Sequence, residues 1–389
     1  MDQNTFSRRN FIAAGSILTA ASVVPAFAAT QQSHGERQYS GMLNVKDFGA
    51  KGDGASDDTS LIQKALDVAA KTHGSVFIPE GNYLCSELRV PAGVGIHGLP
   101  SWSYREGTGT VLILKDANSR CLINITGAYG AYLFGLCLKG DNLGKEIHGI
   151  MVDKPLDYGK QEDTPRIDTC RIENFSGDGI RLERIWCFVI RHSHCFCNQG
   201  CGLRIRGWDG FILDNWFSGN GKAGIAAYDE NASNTITGNR IEWNKEGGII
   251  IHGGAQYNIT GNYIDRSGHC GLQLLKGTQR GCHTMAVTGN VIFRSGKPEW
   301  GRNDEYDSAH VRIEDAQGIV FTGNALNSGR DDGAGLYSPD YGIVVKNLES
   351  SIVKDNVQHL GALKQLMVDL GQHGESVIIQ DNVGTLRKL

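Results

Sequence analysis

From Gly179 onward the chain keeps returning to one short pattern, a glycine followed by four residues in which apolar positions alternate with the rest. It reads GIRLE at Gly179–Glu183, GLRIR at Gly202–Arg206, GIAAY at Gly224–Tyr228, GIIIH at Gly248–His252 and GLQLL at Gly271–Leu275, with VRIE at Val311–Glu314 as a later variant. Alternation of period two predicts strands with one buried face. Each strand is followed by a polar turn, a second strand closing on Gly-Asn, and a third short apolar strand. The asparagines recur at Asn215, Asn239, Asn262, Asn290, Asn324, Asn356 and Asn382, spaced 23 to 34 residues apart. Self-similarity at that period marks a solenoid. Three short strands per coil predict an all-β fold, a right-handed parallel β-helix whose stacked corner asparagines bond one coil to the next. A second column, Asn198, Asn220 and Asn244, supports the register. Abundant β-branched residues, with a glycine at nearly every corner, exclude a helical solenoid.

The entry to the solenoid is built differently. NVKDFGAKGDGASDDTSLIQKALDVAA, Asn44–Ala70, predicts a strand, a glycine-rich turn and an amphipathic helix over about 57–71, capped by Asp57 or Asp58 and apolar at Leu61, Ile62, Ala65 and Leu66. Such a helix would cover the first coil and its otherwise exposed edge. This opening, followed by VFIPEGNY at Val76–Tyr83, resembles the pectate lyase and polygalacturonase superfamily. The opening motif is the specific part; the coils are similar only in periodicity. The resemblance implies carbohydrate chemistry, although fold alone does not establish it. The chain has no N-T-D or G-H-G as in polygalacturonases and no clear D-P-H-D as in mannuronan epimerases, so those catalytic sets do not transfer. The later coils also resemble inulin fructotransferases. One of that family's two acids would fall on Glu230, but its partner position holds Lys222, which argues against fructosyl transfer.

Composition narrows the class. Hydrophobic content of 40% supports a sizeable core, while 21% charged residues and a net charge of −4 point neither to disorder nor to a nucleic-acid partner. Residues 1–28 read as a twin-arginine signal peptide, with SRRNFI at Ser7–Ile12, a weakly apolar run and AFA at Ala26–Ala28; 29–43 read as a linker and 44–389 as the β-helix. The expectation is export by the twin-arginine (Tat) translocase to the periplasm or beyond, with no membrane anchor after cleavage. Ten cysteines in an exported chain invite a disulfide reading. In RHSHCFCNQGC, however, strand alternation turns His192 and His194 away from Cys195 and Cys197, so a shared metal centre is disfavoured and small buried thiols are expected.

The outward positions of the repeated strand form a strip: Arg181 and Glu183, Arg204 and Arg206, Ala226 and Tyr228, Ile250 and His252, Gln273 and Leu275, Arg312 and Glu314. Rungs about 4.8 Å apart suit a linear glycan. Outward polar residues are also what any solvated sheet shows, with cross-strand ion pairs as their ordinary role. Four arginines gathered with Tyr228 and His252 favour function, because guanidinium groups grip carboxylates or sulfates in pairs of hydrogen bonds. Asp229 and Glu230 follow the strand in one coil and Glu246 precedes it in the next, so a wide, inverting carboxyl pair is expected for a glycoside hydrolase. Elimination from a uronate would instead use Arg204 or Arg206 on the carboxylate and His252 or Tyr228 on the proton. The expectation is an exported enzyme that cleaves glycosidic bonds in a poly- or oligosaccharide, with hydrolysis ahead of elimination and a non-catalytic glycan-binding module as the remaining reading. Two insertions, 294–308 and 327–340, offer Trp300, Tyr306 and Tyr337 for stacking on sugars, and Asp304, Glu305, Asp307, Asp331 and Asp332 as Ca²⁺ ligands. Glu242 and Trp243 fall on another sheet and read as structural. Assembly as a homotrimer along the helix axis is compatible with this kind of fold.

Overall fold

The computed structural model describes residues 41–100, 107–296, 304–330, 336–337 and 339–388. The expected leader, Trp300, Asp331 and Asp332 lie outside them, as does the side chain of Tyr337.

Alternation within strands and glycines at corners produce coils with three faces. Strands His148–Asp153, Ile180–Arg191, Leu203–Leu213, Ile225–Tyr228, Ile249–His252, Leu272–Leu275 and Ala309–Thr322 pair in parallel along the first face. The longer ones, such as Ile180–Arg191, bend onto the second face at a register shift after Glu183, where Arg184 takes φ 60°. The first two faces therefore join as one 21-stranded sheet, and the third is a separate 13-stranded sheet. Ile180, Leu203, Ile225, Ile249, Leu272 and Val311 stack inside the first face, one per coil, each buried. Each such side chain contributes roughly 1.5–3 kcal/mol of hydrophobic stabilisation.

The glycines do two different jobs. At Gly224, ahead of the strand, a Cβ would meet Ile241 Cγ2 at 2.5 Å and Asn244 Nδ2 at 2.8 Å, so the corner has no room for a side chain. Gly238, in the Gly-Asn step, sits at φ 70°, which other residues adopt only at a cost.

That step delivers the asparagines to the interior. Asn215 donates its backbone N–H and Nδ2 to Oδ1 of Asn239 at 2.9 and 3.0 Å, and the relay continues through Asn262, Asn290, Asn324 and Asn356 to Asn382. Asn198, Asn220 and Asn244 form the second ladder in the same way. Both columns read from the sequence are thus continuous hydrogen-bonded stacks that satisfy backbone groups at buried corners.

The capping helix is Thr59–Ala70, with Ile62, Ala65, Leu66 and Ala69 buried and Leu61 partly so. Its two candidate caps divide the work. Asp57 accepts the N–H of Thr59 at 3.0 Å, whereas the buried Asp58 accepts from Lys51 and Gly52 at 2.7 and 2.8 Å and fixes the glycine-rich turn.

All ten cysteines lie among the described residues, and no disulfide joins them there. Cys195 is fully buried, while His194 lies on the outer side of the third face, stacked between Phe196 and Trp216 with ring centroids 4.3 and 4.8 Å away. Histidine and thiol point to opposite sides, as alternation requires.

Candidate active site

Register places the strip in two columns. Arg181 lies opposite Arg204 and Glu183 opposite Arg206; Arg204 is followed by Ala226, Ile250, Gln273 and Arg312, and Tyr228 pairs with His252. The early half of the strip opens into a cleft of about 430 Å³ that includes Arg181, Arg184, Arg204, Arg206, Tyr228 and Asp229 in its walls. Glu183, only 9% exposed, is the carboxylate at its floor. It approaches Arg181 at 3.3 Å and both Arg204 and Arg206 at 3.9 Å, while Arg206 also meets Glu230 at 3.6 Å. Four guanidiniums line the cleft against the carboxylates of Asp153, Glu183 and Asp229, so a net positive charge of one faces an incoming anion.

Tyr228 forms one wall. The guanidinium of Arg204 lies 5.6 Å from its ring centroid, and His252 meets it edge-on at 5.2 Å. Burial, reinforced by the charge of Glu246, pushes the Tyr228 phenol above its ordinary range, so it keeps its proton. Burial pulls His252 down, although Gln273 and Asp229 oppose the shift, so the imidazole is neutral at pH 7. Its Nε2 is buried and meets no hydrogen-bond partner among the described residues.

A second layer, absent from the sequence reading, stands behind the arginines. His148 is buried, its Nδ1 accepts the N–H of Asp178 at 2.8 Å, and its Nε2 lies 3.4 Å from Arg181. Burial pushes its pKa down to about 4, helped by Arg181 and Arg204 against Asp178. The carboxylate of Asp178 takes the N–H of Cys201 at 2.7 Å, tying this pair to the next coil. The signal was available: HGIMVD, His148–Asp153, is the same glycine-led strand one coil earlier. Tyr158 was also missed. It stacks on Trp208 at 3.9 Å and donates its hydroxyl to the backbone oxygen of Glu230 at 2.9 Å.

The expected acids have unequal freedom. Asp229 Oδ1 accepts the N–H of Thr278 at 2.7 Å, so this carboxylate holds the 276–280 loop. Glu230 is largely open to solvent, apart from Arg206. Glu246 precedes Ile249–His252, on the opposite side of the strip from Asp229, and its charge reaches Tyr228.

The late half of the strip departs from expectation. Arg312 donates to Glu314 at 2.7 Å, Asp304 at 2.8 Å and Asp307 at 3.1 Å, and is 9% exposed. Burial pulls its pKa down, yet Glu314 and Asp304 outweigh that and hold it above the usual arginine value. Gln273 donates one N–H to Asp307 at 3.2 Å and also bears on His252. Both were expected to touch substrate; the insertion carrying Asp304 and Asp307 folds down over them and engages the Arg312 guanidinium fully and Gln273 in part. Between the halves, Ala226 and Ile250 pack with Cys201 and Ala223 beside Tyr228, so the middle of the strip is an apolar patch.

The same acids bear on Ca²⁺. Asp304 and Asp307 face Arg312, and Glu305 accepts from the Tyr341 hydroxyl, so this set does not fit a cation. Among the described residues no group of three His, Cys, Asp or Glu is placed to hold a metal. Tyr306 packs against Tyr341 with centroids 5.5 Å apart.

Coils of three parallel strands, two asparagine ladders and a helix over the first coil define a right-handed parallel β-helix, and the chain resembles the pectate-lyase-like superfamily in its opening residues and its fold. Residues 42–103 match the family described as rhamnogalacturonase A/epimerase, pectate lyase-like, and residues 146–301 match periplasmic copper-binding protein NosD. The His194 and Cys195 donors lie on opposite sides of one strand and so do not form a copper site together. Mannuronan C5-epimerase AlgE3 of Azotobacter vinelandii is 30% identical over 273 residues, 65% of this chain but 13% of that protein's length. The A-module structure of mannuronan C-5 epimerase AlgE6 from the same organism superposes with a TM-score of 0.59 at 18% identity, covering 89% of this chain and all of that one. DFA-IIIase from Arthrobacter chlorophenolicus, without its lid, gives 0.60 at 14% identity, covering 89% and 98%. These two likenesses establish the fold.

Proposed function

We propose that this chain is an exported enzyme acting on a uronate-containing glycan, and that its chemistry begins at the C5 proton of the uronate. The observation that carries this reading is the arginine cleft with the protonated Tyr228 in its wall. Arg204 and Arg206 neutralise the sugar carboxylate, which makes the neighbouring C5–H more acidic. Neutral His252 is the acceptor for that proton and Tyr228 the donor. The electron pair left at C5 then either expels the C4 oxygen, giving an unsaturated uronate, or takes a proton from the opposite face, giving the epimer. The relation to a mannuronan C5-epimerase supports a uronate polymer as substrate class. The missing Asp-Pro-His-Asp means that this epimerase's catalytic residues are not carried over.

Hydrolysis is the second reading, favoured by Glu230 beside the cleft and Glu246 across the strip. One experiment separates them. The mature chain is incubated in D₂O with polyuronates, mixed acidic glycans and neutral glycans, following reducing ends, ultraviolet absorbance and deuterium at C5. Deuterium or unsaturation on acidic glycans alone is expected. New reducing ends without either would overturn C5 chemistry in favour of hydrolysis.

A further inference from the structure

The arginine cleft does not end at Asp229. That residue also lines a neighbouring cleft of about 250 Å³, shared with Trp208, Glu230, Gln279 and Arg280. Arg280 in turn lines a third, of about 260 Å³, with Lys276, His283, Asp315 and Glu349. Successive clefts share a residue, so they are segments of one groove along the corner where the first face turns into the second. From Arg204 the pairings run through Ala226, Ile250, Gln273 and Arg312 to Val344, on the strand that carries Asn347 and Glu349, five rungs, or about 24 Å at the usual strand spacing. A tetrasaccharide covers most of that length.

Charge changes sign along this path. The first segment has four guanidiniums, three of them within 4 Å of Glu183, against the carboxylates of Asp153, Glu183 and Asp229, a net excess of positive charge. The second sets two carboxylates, Asp229 and Glu230, against Arg280, whose Nε is spent on the carbonyl of Gly253 at 2.9 Å. This segment also contains Trp208, already stacked on Tyr158, a flat apolar surface of the kind sugar rings lie on. In the third, Lys276 and Arg280 are balanced by Asp315 and Glu349, with Asn347 and Gln317 adding hydrogen-bonding groups. A second uronate placed next to the first would meet two carboxylates against the single guanidinium of Arg280.

We infer that the substrate is a heteroglycan in which a single uronate occupies the arginine cleft and neutral sugars extend past Trp208 toward Glu349, rather than an unbroken polyuronate block. This inference rests on the uronate reading of the arginine cleft. It makes the groove a selector of sequence as well as of charge, since like-charge contact penalises the wrong chain.

The test is calorimetric binding of defined tetrasaccharides to the full mature chain: homo-oligouronates, and isomers with one uronate and three neutral hexoses, the uronate at either end. One mixed isomer is expected to bind about tenfold more tightly than the homo-oligouronate. Glu230→Gln, at a solvent-open position, should narrow that gap by improving homo-oligouronate binding. Equal or tighter homo-oligouronate binding that grows with chain length would overturn the inference while leaving the uronate reading intact. If no uronate-bearing probe binds, or Arg204→Ala leaves all affinities unchanged, the uronate reading itself fails and the inference falls with it.

Discussion

Asp229 Oδ1 and the backbone N–H of Thr278 lie 2.7 Å apart across 49 residues of sequence, locking the end of the Ile225–Tyr228 strand to the 276–280 loop two coils later. The contact is close enough that a Cβ at Gly277 would come within 2.2 Å of the same oxygen. A carboxylate so engaged acts as a latch between two segments of the groove, which is a positioning role. Asp229→Asn keeps an acceptor oxygen and should retain activity within a few-fold, whereas Asp229→Ala should cost about 1–2 kcal/mol of stability and expose the loop to protease. Loss of all turnover in Asp229→Asn, with melting unchanged, would instead make it a catalytic acid.

Arg204 and Arg312 occupy the same column and should behave oppositely. Arg204→Ala removes a cleft wall and the charge that acidifies C5–H, and is expected to lower kcat and raise KM, each about tenfold or more, with little change in melting. Lysine there should not restore affinity, because it lacks the planar fork. Arg312→Ala leaves Asp304, Asp307 and Glu314 crowded without their cation, so the fold is destabilised by about 3 kcal/mol. Thermal melts alongside kinetics distinguish the two.

The contrast also marks what was legible in the sequence. Strand alternation, the corner glycines and the asparagine columns are local and repeat, so Asn215 through Asn382 and the outward placement of Arg181 and Glu183 could be read directly. Arg204, Arg206 and Tyr228 came out together for the same reason. Periodicity says nothing about what an insertion covers, so the capture of Arg312 by Asp304 and Asp307 was invisible. So was the latch on Asp229, whose partner is a backbone amide in a turn. His148 escaped because its coil precedes the clearest repeats, and Tyr158 because its loop has no period.

His148 predicts an acid limit. Its folded pKa of about 4 lies below the ordinary 6.5, so the folded chain binds fewer protons than the unfolded one between those values. The stability it contributes is fully present above pH 6.5 and is lost as pH falls through 4, on the order of 3 kcal/mol in all. His194 and His310, both pushed down to about 3 by burial, act in the same direction. Melting temperature should therefore fall steadily from pH 6.5 to 4. His148→Asn, which keeps an acceptor for Asp178, should shallow that fall without abolishing it; an unchanged slope would mean His148 does not titrate with folding.

The ladder should be strongest in its middle. Asn262 Oδ1 accepts both the N–H and the Nδ2 of Asn239, at 3.0 and 2.9 Å, in a fully enclosed corner. Asn262→Ala strands these donors and is expected to cost about 3 kcal/mol, read from the urea midpoint. At the half-buried end of the column, Asn382→Ala should cost only about 1 kcal/mol, since water can replace the lost acceptor. Equal costs at the two positions would show that burial is not what gives the ladder its value.

Tyr228 offers the sharpest test of the chemistry. Because burial holds its phenol above the ordinary range, it stays protonated through neutral and mildly alkaline pH and is available to give a proton throughout. Tyr228→Phe keeps the ring against Arg204 and His252 and removes only the hydroxyl. If the phenol donates the proton, kcat should drop on the order of a hundred- to ten-thousandfold while KM and melting stay close to the parent's. Under a hydrolytic mechanism the same substitution would be mild and Glu230→Gln would carry the large loss. Measuring both variants on the same acidic glycan decides between C5 chemistry and hydrolysis, because each mechanism assigns the severe defect to a different one of the two.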